Sequence, residues 1–234
     1  MRLITSGFGL WDARATKPTM ITERRYCKYR TVFISDVHLG SPHSQAGRLL
    51  AFLEGAEFET LVLVGDIFDA PGMELPHEHK RVLAHILERM TLGAQIIFVP
   101  GNHDRVFRDI VGEYGHMHVM RNYTHCTKDS THILVVHGDE WDSVGSFSLM
   151  HLVDRALPIP FWEVIRKLFH GFMRRHIAAF EARALRARDS QDKILCGHVH
   201  FPAIKGEYLN TGDWVQHCSA IVEHEDGHLE LVYG

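Results

Sequence analysis

The chain has 234 residues, enough for one domain with a sizeable core and at most a small second one. Hydrophobic residues make up 45% and charged residues 23%, which excludes a disordered or fibrous chain, and the net charge of -4 gives no global footprint for nucleic acid. There is no run of 18 or more apolar residues, so no membrane-spanning helix is predicted.

Residues 1–29 read as an N-terminal extension. Its "LITSGFGLW" is too short and broken for a secretory leader, and Cys27, Cys126, Cys196 and Cys218 form no CxxC pair. A reducing, cytoplasmic location is therefore expected, with one domain over 30–234.

Within that domain one pattern recurs. A short β-branched apolar run ends on a small residue and then on a metal-type ligand. The segments are "TVFISDVH" (31–38), "TLVLVGDIFD" (60–69), "QIIFVPGNHD" (95–104), "HILVVHGD" (132–139) and "KILCGHVH" (193–200). Their length, branching and turn punctuation predict buried strands. Helical periodicity falls between them, over Gln45–Glu54 and over His77–Met90, where Val82, Leu83, Ile86, Leu87 and Met90 share one face. Alternating strand and helix predicts an α/β fold.

In such sheets the reactive crevice lies beyond the carboxyl ends of the strands. The groups delivered there are Asp36, His38, Asp66, Asn102, His137, His198 and His200, with His103, Asp104 and Asp69 close behind. Taken singly, each has an ordinary explanation, a turn Asp or a surface His among 19 histidines. Five repeats of strand followed by ligand point instead to one metal site. Carboxylate, amide and imidazole without thiolate suit manganese, iron or zinc and exclude a structural Cys-type zinc site. Seven ligands are too many for one ion and suit two, and Asp66 is the candidate bridge.

Residues 143–190 interrupt this scheme as a helical insert. After Pro158 and Pro160, Phe161, Ile165, Leu168 and Phe172 form one apolar stripe, and eight basic residues stand against two acidic from Arg155 to Arg188. A basic amphipathic helix can lie on an anionic leaflet, bind substrate phosphates, or pack on a core with its charged side solvated. As a substrate lid it would present Phe172, Arg174 and Arg175 to the substrate. Trp214 is expected to pack under the site.

The ordered set "DVH", "GDIFD", "GNHD", "HGD" and "GHVH" resembles the calcineurin-like metallophosphoesterase superfamily over about residues 30–215. The resemblance implies two packed mixed β-sheets flanked by helices. It also implies a pair of divalent metals: Asp36, His38 and His200 on one, Asn102, His137 and His198 on the other, and Asp66 on both. His103, oriented by Asp104, would act on the substrate phosphate and leaving group, and Asn210, Thr211 and Asp213 would form the floor.

More narrowly, "FISDVHLGSP", "VVHGDEWD" and "YLNTGDWVQHCSAIVEHEDGHLEL" resemble bacterial UDP-2,3-diacylglucosamine diphosphatases. That likeness implies a manganese enzyme, peripheral on the cytoplasmic face of the inner membrane, releasing UMP and a lipid sugar phosphate from a nucleotide-linked lipid. His103 departs from that group, which carries Arg there. The alternatives are a phosphomonoesterase or a nucleotide or nucleic-acid phosphodiesterase on the same scaffold, and, less favoured, a binding module without chemistry.

Overall fold

The computed structural model describes residues 27–70, 72, 74–141 and 174–234. In chain order the elements are β1 (Cys27–Ile34), α1 (Ala46–Glu54), β2 (Ala56–Leu63), α2 (His77–Thr91), β3 (Gln95–Phe98), β4 (Gly112–Tyr114), β5 (Met117–Val119), β6 (Tyr123–Cys126) and β7 (His132–Val135). Then follow α3 (174–187), β8 (Lys193–Cys196), β9 (Ala203–Lys205), β10 (Tyr208–Asn210), β11 (Ser219–Glu223) and β12 (Leu229–Tyr233).

Two mixed sheets result. The first runs β12-β11-β1-β2-β3-β5-β4 and the second β6-β7-β8-β10-β9. β1, β2, β3 and β5 are parallel, as are β7, β8 and β10, while β11, β12, β4, β6 and β9 pair antiparallel at the flanks.

The strand sequences explain the layering, because consecutive side chains face opposite ways. In β1, Val32 and Ile34 face α1 and α2 while Phe33 faces the other sheet, and β2 and β3 repeat this with Leu61 and Leu63 against Val62, and Ile96 and Phe98 against Ile97. Ile133, Val135, Leu195 and Leu209 of the second sheet complete the inner layer. On its outer face, Ile194 and Cys196 pack with Phe180 and Ala184 of α3. Strands buried on both faces are continuous apolar runs, which is why they were legible.

α1 buries Leu49, Leu50 and Leu53, and α2 buries His79, Val82 and Ile86 at helical spacing. Glu78 in the first turn of α2 and Arg89 in the last complement the helix dipole. The chain leaves α2 through Gly93, whose φ of 104° suits a residue without Cβ. Leu87, read as part of the buried face, is instead 52% exposed.

One boundary differs from expectation. Cys27–Tyr29, assigned to the extension, already belong to β1, because they pair in parallel with Ala56–Phe58. The stripe of Phe161, Ile165, Leu168 and Phe172 lies outside the described residues.

Candidate metal centre

Every predicted ligand stands just past a strand end. Asp36 and His38 follow β1, Asp66 follows β2, Asn102 follows β3, His137 follows β7, and His198 and His200 follow β8. β1 to β3 come from one sheet and β7 and β8 from the other, so the site straddles the sandwich at one end.

The backbone there is unusual. Asp36, His38, Asp66, His198 and His200 all have φ between 50° and 66°. Non-glycine residues seldom adopt this left-handed region, and such conformations cluster at functional sites. Glycines make room beside them: a Cβ on Gly65 would strike the His137 ring, and one on Gly197 would strike Ser35 Oγ and Asp36 Oδ2.

The structure brings the seven together. Ligand atoms of Asp36, His38 and His200 lie within 4.8 Å of one another, as do those of Asp66, His137 and His198, and a third group joins His38, Asp66 and His103. Asp66 thus sits between two clusters. Asn102 completes the second, its Oδ1 3.3 Å from His137 Nε2.

The imidazoles are aimed. His137 Nδ1 donates to the Val64 carbonyl at 2.8 Å, which leaves Nε2 facing Asp66 Oδ2 at 3.3 Å. His38 Nδ1 meets Asp69 Oδ1 at 3.1 Å, and its Nε2 is buried without a hydrogen-bond partner. Fixing one ring nitrogen on an acceptor so that the other points inward is the usual arrangement of a ligating histidine.

The electrostatics agree. Burial alone would lower the pKa of His137, yet the neighbouring Asp66 carboxylate outweighs it and raises the group to about 10. Likewise burial opposes ionisation of Asp36 and Asp66, yet His200 and His137 hold their carboxyls below the ordinary range. His200 is raised, again against burial, by Asp36, whose Oδ1 lies 3.1 Å from His200 Nε2. The cluster draws positive charge onto buried carboxylates, so the donor set fits divalent cations. Two such ions would supply positive charge to phosphoryl oxygens and make water acidic enough to attack at neutral pH.

His103 stands beside this centre, its side chain 36% exposed. Its Nδ1 donates to the Asp69 carbonyl at 2.7 Å, and its ring meets His38 edge to face at 4.8 Å. The expectation that Asp104 orients it is corrected. Asp104 turns inward, 1% exposed, and accepts the amides of Ile67 at 2.7 Å and Gly101 at 2.5 Å. Burial raises its pKa, and the two amide hydrogen bonds it accepts brace the loop from below. Adjacent side chains on this turn point opposite ways, and Asp69 holds both His38 and His103.

The residues beneath the ligands are closed off from solvent. Asn210, Thr211, Asp213 and Trp214 are fully buried. Asn210 Nδ2 donates to the Gly197 carbonyl at 2.8 Å, Thr211 Oγ1 meets Ser35 Oγ at 2.6 Å, and Trp214 N donates to the Asp36 carbonyl at 3.0 Å. Ser35, whose hydroxyl donates to Asp36 Oδ2, carried no signal beyond its place before Asp36.

From the insert, Arg174 and Arg175 are exposed on α3, and Phe172 lies outside the described residues. Part of the basic charge is engaged internally: Arg183 donates to the Trp141 carbonyl at 2.6 Å and Arg188 pairs with Glu207 at 2.9 Å. Phe180 stacks on His198 with ring centres 6.1 Å apart, so the described part of α3 packs on the core behind the site.

Residues 29–202 match the calcineurin-like phosphoesterase family, which uses a binuclear metal centre. The fold and site thus define a metal-dependent hydrolase of phosphoesters. The chain belongs to the calcineurin-like phosphoesterase family. Among solved structures, Yfce, a phosphoesterase from E. coli, is 16% identical over 86% of this chain and 97% of its own, with a TM-score of 0.44. The Pseudomonas putida nuclease MPE is 13% identical over 87% and 88%, with a TM-score of 0.41. No curated protein matches the chain. Among the described residues no helix is long and apolar enough to cross a membrane.

Proposed function

We propose that the chain is a di-metal diphosphatase of a nucleotide-linked lipid, cleaving UDP-2,3-diacylglucosamine to UMP and a lipid sugar phosphate, with manganese as its metal. Asp36, His38 and His200 hold one ion, Asn102, His137 and His198 the other, and Asp66 both. In this reading it works in the cytoplasm, peripheral on the inner face of the inner membrane, with Arg174, Arg175 and Phe172 contacting substrate.

One observation carries the lipid assignment. A cavity of about 290 Å³ opens beside His103, lined mainly by the apolar Phe68, Ala70, Leu75, Val106 and Phe107 and also by Asp104. Apolar walls next to a phosphate-handling group suit an acylated substrate and offer little to a polyanion. UMP release in Mn²⁺ from UDP-2,3-diacylglucosamine, set against UDP-N-acetylglucosamine, which lacks long acyl chains, tests it. The acylated substrate is expected to have a kcat/KM higher by at least about tenfold, the value of a few buried methylenes. Equal values overturn the lipid assignment.

A second reading, a phosphodiesterase of nucleotides or nucleic acid, is favoured by His103 itself. With Nδ1–H fixed on the Asp69 carbonyl, an imidazolium can pass its Nε2 proton to a leaving alkoxide, whereas a guanidinium cannot. Alkoxide leaving groups need that proton far more than a phosphate ester does. His103→Arg is therefore expected to reduce turnover of an alkyl phosphodiester by roughly 10²-fold and of the diphosphate by much less. Equal losses on both substrates contradict the proton-donor role.

A further inference from the structure

Asn102 and His137 are delivered to one point from different sheets, the first after β3 and the second after β7. Sheets packed through apolar side chains can slide slightly against each other, and a metal pair tolerates little displacement. A polar tie between the two loops, close to the ligands, would fix their register.

Arg108 has that geometry. It lies in the 3-10 turn Arg105–Asp109, immediately after the loop that carries Asn102 and His103. Its Nε and Nη2 donate to the Pro100 carbonyl at 3.2 and 3.0 Å, and Nη2 also donates to Asp139 Oδ1 at 2.7 Å. Pro100 is two residues before Asn102, and Asp139 is two residues after His137. The Arg108 side chain is 29% exposed and that of Asp139 19%, so the pair is partly shielded from solvent.

We infer that Arg108, through Asp139 and the Pro100 carbonyl, is a positioning residue for one half of the metal centre, the half formed by Asn102, His137 and His198. The other half differs in Asp36 and His38, which follow β1, a strand whose loop the Arg108 hydrogen bonds to Pro100 and Asp139 do not reach, while His200 shares β8 with His198. Losing Arg108 therefore acts on one ion and spares the other. A planar fork is needed, because one guanidinium edge spans a carbonyl and a carboxylate, and a lysine ammonium has no such edge. The inference rests on the two-ion reading given above.

Mn²⁺ titration followed by electron paramagnetic resonance, with bound metal counted by mass spectrometry, tests it. The unaltered protein is expected to bind two Mn²⁺ with a spin-coupled spectrum. In Arg108→Ala the first ion binds as before and the second binds at least about tenfold more weakly, so a six-line spectrum of isolated Mn²⁺ persists at two equivalents, where the unaltered protein is spin-coupled. Asp139→Ala gives the same one-sided loss, the double variant adds little to either, and Arg108→Lys fails to restore the second ion. Equal weakening of both ions, or an unchanged second ion, overturns the brace. An unaltered protein that takes up a single ion overturns instead the two-ion reading beneath it.

Discussion

Two buried carboxylates at different places along β1 illustrate different uses of charge. Glu223 is fully buried where β11 meets β1. Its Oε1 accepts Arg30 Nη1 at 2.6 Å and the Lys128 amide at 2.8 Å, and its Oε2 accepts Thr31 Oγ1 at 2.9 Å and faces His125 Nε2 at 2.7 Å. Four partners fill the four lone-pair positions of a carboxylate. Because His125 lies on β6, this network ties one sheet to the other. Asp36, just past the far end of β1, is equally buried. Its Oδ2 is held by Ser35 Oγ and the His198 amide, while its Oδ1 faces His200 Nε2 at 3.1 Å and His38 Nε2 at 4.0 Å. A carboxylate saturated by donors holds the fold together, whereas one left facing a ring of imidazoles is free to take a cation.

The sharpest way to break this comparison is to neutralise one carboxylate of each kind. Asp66→Asn keeps shape and removes charge, so kcat/KM is expected to fall by on the order of 10³-fold, while the melting temperature without metal falls only modestly, through loss of the Asp66–His137 pairing. Steady-state kinetics and a thermal melt in chelator read the two effects. Glu223→Gln should do the reverse. It leaves the Arg30 and His125 side poorly compensated and costs about 3 kcal/mol in urea unfolding, with kcat per folded molecule unchanged.

Close approach offers a third test. Gly197→Ala drives a Cβ into Ser35 and Asp36, which should weaken metal binding by roughly tenfold and cost about 1–3 kcal/mol of stability, read by Mn²⁺ titration and urea unfolding.

The smallest effect expected is in the acid limb. Burial opposes the ionisation of Glu223, but His125, the Lys128 amide, Arg30 and Thr31 outweigh it and hold the carboxyl at about 2, below its ordinary 4.5. A depressed carboxylate contributes stability above its unfolded pKa and loses it as pH falls through the folded one. Stability should therefore decline between pH 4.5 and 2, and Glu223→Gln should flatten that part of a urea-stability profile. A profile unchanged by the substitution would remove Glu223 from the acid response.

The ligands were legible because each follows a doubly buried strand, whose apolar run announces where the chain must leave the sheet. β4, β5, β6, β9 and β12 were not, since three to five residues at a sheet margin, partly exposed, carry too little pattern. The partner of His103 was misread for another reason. Asp104 is its neighbour in sequence, yet in a tight turn adjacent side chains diverge, and the group that meets the ring is the carbonyl of Asp69, which no side-chain motif encodes. Arg108 and Asp139 gave no signal as a pair, because their partnership depends on how two sheets stack.

The left-handed backbone of Asp36, His38, Asp66, His198 and His200 has one more consequence. Each such residue is strained by on the order of 1 kcal/mol, and the surrounding sheets impose that strain whether or not an ion is present. The entropic cost of arranging the ligands is then borne by folding, so an arriving ion meets a preorganised cage and keeps nearly all of its interaction energy as affinity. Such a cage should keep its shape through repeated loading and stripping of metal.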